Sequence, residues 1–270
     1  KCGALATPVG FDWDGDGDQD LVSGNTAGFI EWFENLSGPG AGQPKWAAPR
    51  RLKAGGEVFR IMAGNRSIQG PAEAKWGYTT LSIADWDGDG RPDILLNSIT
   101  GAVQWLQNVG TRRAPKLAAP QPIEVAWEGP QPTLAWGWLR PAGRELLTQW
   151  RTTPLAHDFD GDGLVDLAVL DTEGFLAFFK RARRDGSLVL EPPRRAFVDE
   201  AGRPLRLSSE AAGRSGRRKL CVTDWDGDGR FDLLINSANA DLLKQVEFRD
   251  GNWVMRKVGP LAKKNIEGHD

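Results

Sequence analysis

Four copies of one nine-residue acidic loop constrain this chain more than any other feature. They begin at Asp12, Asp85, Asp158 and Asp224, and each reads D-x-D-G-D-G-x-x-D. Carboxylates at positions 1, 3, 5 and 9 of one tight loop repel each other unless a cation lies among them. A hard divalent ion meets that need, and Ca²⁺ accepts oxygen ligands in irregular geometry. The glycine at position 6 (Gly17, Gly90, Gly163, Gly229) lets the backbone turn sharply, so that the carbonyl of residue 7 can point inward. The expected ligands are Asp12, Asp14, Asp16, Asp18 and Asp20 in the first loop, and Asp85, Asp87, Asp89, Arg91 and Asp93 in the second. They are Asp158, Asp160, Asp162, Leu164 and Asp166 in the third, and Asp224, Asp226, Asp228, Arg230 and Asp232 in the fourth. At position 7 the backbone oxygen serves, mainly so even for Asp18. About four structural calcium ions are expected.

The loops are not EF-hands. That motif needs a bidentate Glu at position 12 and flanking helices, whereas position 12 here holds Ser23, Leu96, Val169 and Ile235. Each loop instead leads into a short apolar run, such as Ile94-Leu95-Leu96 or Leu167 to Leu170, that reads as a buried strand.

The loop starts lie 73, 73 and 66 residues apart, and a period of this kind signals an array, a solenoid or a propeller. Each unit gives four strands. One enters the loop (Leu81 to Ala84, Leu155 to His157, Leu220 to Thr223) and one leaves it. A turn follows at Gly28, Gly101 or Gly174, with Ala240 breaking the rule in the last unit. The third strand is Phe29 to Phe33, Ala102 to Leu106, Phe175 to Phe179 and Leu242 to Phe248. Asp185-Gly186 and Asp250-Gly251 then read as hairpin turns into Ser187 to Leu190 and Trp253 to Val258. Pro44 to Pro49 and Pro115 to Pro120 stand in the corresponding place of the first two units.

The segments WDGDGRPDILLNS (86 to 98), DFDGDGLVDLAVL (158 to 170) and WDGDGRFDLLINS (225 to 237) resemble the FG-GAP/VCBS repeat family of calcium-bearing β-propellers. The resemblance covers nearly the whole chain. It implies an all-β fold: a propeller of four-stranded antiparallel blades, calcium loops between strands 1 and 2, and blades starting near 5, 78, 151 and 217. For function it implies less, because the family spans adhesion propellers and propellers similar to those of polysaccharide lyases acting on rhamnogalacturonan or ulvan. The close of the chain, Ile266 to Asp270, reads as the approach to another blade. A fragment of a larger propeller is therefore expected over a closed ring of four.

At 40% hydrophobic residues over 270 positions, the chain can build a substantial core. No stretch approaches the roughly 18 apolar residues of a membrane span, so membrane insertion is not expected. Cys2 and Cys221 allow one bridge at most. Calcium loops this numerous suit an extracellular, periplasmic or cell-surface setting. The net charge of −2 conceals a basic remainder, because the loops hold so many of the 36 acids against 34 Lys and Arg. The basic residues cluster at Arg50-Arg51, Lys180 to Arg184 and Arg214 to Lys219. Such clusters concentrate polyanions, and an acidic polysaccharide is the expected partner. No nucleic-acid motif accompanies the charge. A solvated basic surface is the plainer alternative.

The long connections, about 53 to 77, 122 to 150 and 197 to 217, would cross the disc face opposite the calcium loops. Loops on a rigid scaffold are where binding usually sits. Trp138 and Trp150 lead the aromatic residues there; an exposed Trp would offer its face to a sugar ring, while a packed one would be filler. Counting seven residues back from each loop gives Leu5, Tyr78, Arg151 and Arg217 around one channel mouth, with Trp76, Trp150, Arg218 and Lys219 beside them. His269 would take the same place in a following blade. A Tyr, a His and several Arg at one mouth suit β-elimination on a uronate: Arg neutralises the carboxylate, and Tyr or His moves the proton. Tyr78, His269 and Arg151 are the candidate catalytic residues, and Trp76, Trp138, Trp150, Arg151, Arg217 and Arg218 the candidate substrate contacts. The rival reading is a non-catalytic adhesion or protein-interaction scaffold. His157 reads as structural. Glu31, Glu34, Asp171 and Glu173 leave a paired-carboxylate glycosidase open.

Overall fold

A computed structural model of the chain describes residues 2–64, 70–132, 141, 143–208, 218–236 and 241–260. Among them there is no α-helix; a 3-10 turn at Pro71–Glu73 is the helical element that positions a site residue. The first sheet is a meander of β1 (Thr7–Phe11), β2 (Asp20–Gly24), β3 (Ile30–Phe33) and β4 (Arg50–Arg51). A small hairpin follows, β5 (Lys53–Ala54) with β6 (Glu57–Val58). The second meander is β7 (Thr80–Ala84), β8 (Asp93–Asn97), β9 (Gln104–Leu106) and β10 (Gln121–Pro122). The third sheet has β11 (Leu155–His157), β12 (Asp166–Leu170) and β13 (Leu176–Phe179), followed by a separate hairpin of β14 (Arg181–Arg184) and β15 (Ser187–Leu190). In the fourth sheet, β17 (Leu220–Thr223), β18 (Asp232–Ile235), β19 (Asp241–Arg249) and β20 (Asn252–Pro260) are antiparallel. There β16 (Phe197–Val198) adds to β20 in parallel.

Every acidic loop joins the first and second strands of its sheet, as expected. The last ladder pairs before the loops are Phe11 with Asp20, Ala84 with Asp93, His157 with Asp166, and Thr223 with Asp232. Position 9 of each loop therefore opens a strand and is fixed by its ladder.

The fourth strands depart from expectation. Pro44 to Pro49 and Pro115 to Pro120 form no strand and make isolated bridges instead, Asn35–Trp46 in the first run and Asn108–Leu117 and Ala54–Leu117 in the second. Proline lacks the N–H a ladder needs, so pairing begins only beyond Pro49 and Pro120, in β4 and β10. In the third sheet the expected fourth strand, Ser187 to Leu190, pairs with β14 instead. Its place against β13 is taken by a single Phe178–Arg194 bridge. Ala240 lies outside the described residues.

The sheets stack face to face in chain order, and alternation along the strands explains how. In β8, Ile94 and Leu96 pack toward the first sheet with Trp13, Val22 and Ile30, while Leu95 packs toward the third with Leu167, Val169 and Phe179. In β12, Ala168 and Leu170 turn the other way, onto Leu220, Leu233, Ile235 and Trp253 of the fourth sheet. A strand buried on both faces needs this uninterrupted apolar run. The second loop residue wedges each interface: Trp13, Trp86 and Phe159 are 2%, 3% and 6% exposed. Trp225, their counterpart in the fourth loop, is 54% exposed. The first strands run side by side, β1 by β7, β7 by β11 and β11 by β17. No ladder among the described residues joins the fourth sheet to the first, and no closed ring is detected among them.

Candidate metal loops and central cavity

Each loop gathers carboxylate oxygens within 4.8 Å of one another: Asp12, Asp14 and Asp16; Asp85, Asp87 and Asp93; Asp158, Asp160 and Asp166; Asp224, Asp226 and Asp232. Backbone donors hold them in place. The position 1 carboxylate accepts the position 4 N–H at 2.7 to 2.9 Å in all four loops. The position 5 carboxylate accepts the position 7 N–H at 2.9 to 3.0 Å, from Asp18, Arg91, Leu164 and Arg230. The position 6 glycines sit at φ between 83° and 97°, a region other residues rarely enter. Position 9 ties the loop to the segment just after the third strand: Asp20, Asp93 and Asp166 accept N–H groups from Asn35, Asn108 and Arg181 at 2.8, 2.6 and 2.7 Å.

Burial raises the Asp93 and Asp166 carboxyls to about 6, despite those donors. Asp14, Asp18 and Asp232 are also raised, chiefly by burial. Asp14 Oδ1 and Asp18 Oδ1 are buried without a hydrogen-bond partner, and Asp18 is 4% exposed overall. Lone oxygens of this kind, in an all-oxygen donor set, fit a hard divalent cation.

The loops differ in what the neighbouring third strand lays over them. Lys180 bonds Asp160 and Asp162 and lowers the Asp162 pKa, and Lys244 does the same to Asp226. Gln107 donates to Asp87 at 2.7 Å. The first loop has Glu34 in that position, which adds to the rise at Asp14, and receives Arg112 at Asp12 from outside, 3.0 Å away. None of this was visible in the loop motif, because the overlying residue belongs to another strand.

The second feature is a cavity of about 1060 Å³ where the first strands converge. Its wall includes Thr7 to Val9, Tyr78, Leu81, Arg151, Lys219, Cys221 and Trp225. Leu5, Tyr78 and Arg151 share a left-handed backbone, with φ of 48°, 51° and 63°. Three bulky residues held there at one repeat position mark strain of the kind that gathers at functional sites.

Sequence counting brought Tyr78 and Arg151 together correctly, but missed the carboxylate between them. Glu73, 5% exposed, accepts the Tyr78 hydroxyl at 2.7 Å and Arg151 Nη2 at 3.2 and 3.3 Å. The Arg151 guanidinium lies over the Tyr78 ring at 3.3 Å and the Trp150 ring at 4.4 Å. Burial and the Glu73 bond raise the Tyr78 pKa. Arg151 is 5% exposed and Trp150 2%, so Trp150 is packed filler in this structure and offers no open face. Trp76 is 42% exposed and meets Tyr78 edge to face. Arg218 donates to the carbonyls of Leu207 and Asn236 at 2.7 and 3.0 Å. Lys219 Nζ donates to the Arg151 carbonyl at 3.1 Å, and burial with the nearby Arg151 charge lowers its pKa to about 7. Trp138, Arg217 and His269 lie outside the described residues.

His157 packs edge to face on Phe159 and Phe231, and burial lowers its pKa. The other carboxylates are taken: Glu31 by Arg51, Glu34 by Arg50, and Asp171 and Glu173 by Arg195. No protein-family model matches the chain, and no curated protein matches it.

Proposed function

We propose that this protein is a calcium-clipped β-propeller module that recognises an acidic polysaccharide at the mouth of its central cavity. The observation that carries the reading is the cavity itself, with exposed Trp76 and partly buried Arg218 and Lys219 at or beside its wall. Neither cation has a carboxylate partner among the described residues. Pockets that combine apolar walls with a few convergent polar groups are the usual ligand sites.

Four features support the propeller: the repeat, the serial stacking of sheets, the loop between strands 1 and 2 of each sheet, and the FG-GAP/VCBS-like motifs. The exposed Trp225 is consistent with a further sheet packing on the fourth, as in a larger propeller. The all-oxygen donor sets support calcium at the four loops, and millimolar extracellular calcium would fill them. Such loops support a setting outside the cytoplasm.

Affinity electrophoresis on polygalacturonate, glucuronate-bearing polymers and neutral glucan tests the reading. Acidic polymers should retard the protein, and Trp76→Ala with Arg218→Ala should weaken that. Equal retardation by neutral glucan, or none by any acidic polymer, would rule it out. Elimination chemistry is the second reading, favoured by the strained backbone at Tyr78. The raised Tyr78 pKa weighs against a resting base. If elimination occurs, wild type forms an unsaturated product absorbing in the ultraviolet and Tyr78→Phe does not.

A further inference from the structure

We propose that Lys219, rather than Arg151, is the group that receives a uronate carboxylate in the cavity; this rests on the acidic-glycan reading above. The charges on the wall decide it. Arg151 is paired with Glu73 in a buried contact, its Nη2 donating to both carboxylate oxygens, and Glu73 also takes the Tyr78 hydroxyl. Asp241 is paired with Lys257 at 3.0 Å. Lys219 remains. Its only acceptor among the described residues is the Arg151 carbonyl, and an ammonium has three N–H donors to satisfy.

A cation withdrawn from water without a counter-charge is costly, and an entering anion relieves that cost. Arg151 offers a smaller gain, since Glu73 already offsets its charge and would repel a second carboxylate beside it. Arg151 is thus a positioning residue: its carbonyl holds the Lys219 ammonium, and its guanidinium braces Tyr78 and Trp150.

The rest of the wall narrows the ligand. Pro8, Val9, Leu81 and Leu234 are apolar, and Trp76 and Trp225 carry exposed rings. An aromatic face beside a lone cation suits a ring that bears one carboxylate, and a hexuronate has that form. Charge at Lys219 then separates uronate from its neutral ester, while the Trp faces read only the ring.

Calorimetric titration of the whole chain with trigalacturonate, triglucuronate and their methyl esters tests this. Wild type should prefer an acid over its ester by tenfold or more. Lys219→Met should cut that preference below about twofold, and Lys219→Arg should keep most of it. Removing an unpaired charge should not harm folding; Lys219→Gln serves as a second neutral variant, and melting is checked for each. If wild type prefers the acid and both neutral variants keep the full preference, the assignment to Lys219 is wrong while the glycan reading stands. Equal binding of acid and ester by wild type overturns the assignment too. Binding of neither sinks both.

Discussion

Carboxylate clusters were legible in the loop spacing, and the structure gathers three in each loop, at positions 1, 3 and 5 in the first and 1, 3 and 9 in the others. Their differing surroundings were not legible, since Glu34, Gln107, Lys180 and Lys244 reach the loops from separate strands. That difference sets an order. The first loop has unpartnered buried oxygens on Asp14 and Asp18, with Glu34 nearby, while lysines already lean on the third and fourth. Calcium should bind the first loop most tightly and must displace an ammonium at the third and fourth. Lys180→Gln should tighten the third site about two- to tenfold, given that partly exposed ion pairs contribute roughly 0.2–1 kcal/mol each. Calorimetry on wild type and variant reads this as a shift in the weakest binding phase. Asp93 and Asp166 supply a pH test. Their folded pKa values, about 6, exceed the unfolded value of 3.8, so they add stability at low pH that is lost as pH rises through about 6. Metal-stripped protein should lose melting temperature between about pH 4 and about pH 6. Calcium should abolish that loss, because the cation offsets the carboxylate charge.

Strand order and alternation followed from the sequence wherever apolar runs were long. Ile94, Leu95 and Leu96 could be buried on both sides only if sheets lay on either face, and they do. The outer strands were not legible. The proline-bounded runs resembled strands by position but make only isolated bridges, and two-residue β16 carries no periodicity to read. Trp86 and Trp225 occupy the same loop position, yet one is 3% and the other 54% exposed. Trp86→Ala should destabilise the fold by about 3–5 kcal/mol through the cavity it leaves. Trp225→Ala should cost under about 1 kcal/mol, as surface changes do. Chemical denaturation of the two variants gives the comparison. A large cost at Trp225 would mean that its face is covered in solution.

At the level of the entire chain, the acidic loops and the basic remainder belong to one electrostatic design. The loops draw their carboxylates into clusters at one end of each inner hairpin, leaving Lys and Arg to dominate elsewhere. The mouth was legible in outline, since repeat counting aligned Leu5, Tyr78 and Arg151, and the structure gives all three one backbone conformation. Glu73 was hidden because it comes from a connection outside the repeat, and it transfers the unpaired charge from Arg151 to Lys219. All of this depends on the loops being cation sites, because unneutralised carboxylates would strain every inner hairpin at once. The deciding experiment is calorimetric melting of the metal-stripped chain across a calcium titration. Melting should climb with calcium, each tenfold excess over Kd adding about 1.4 kcal/mol per filled site. A melting temperature unmoved up to millimolar calcium would contradict the assignment of the loops.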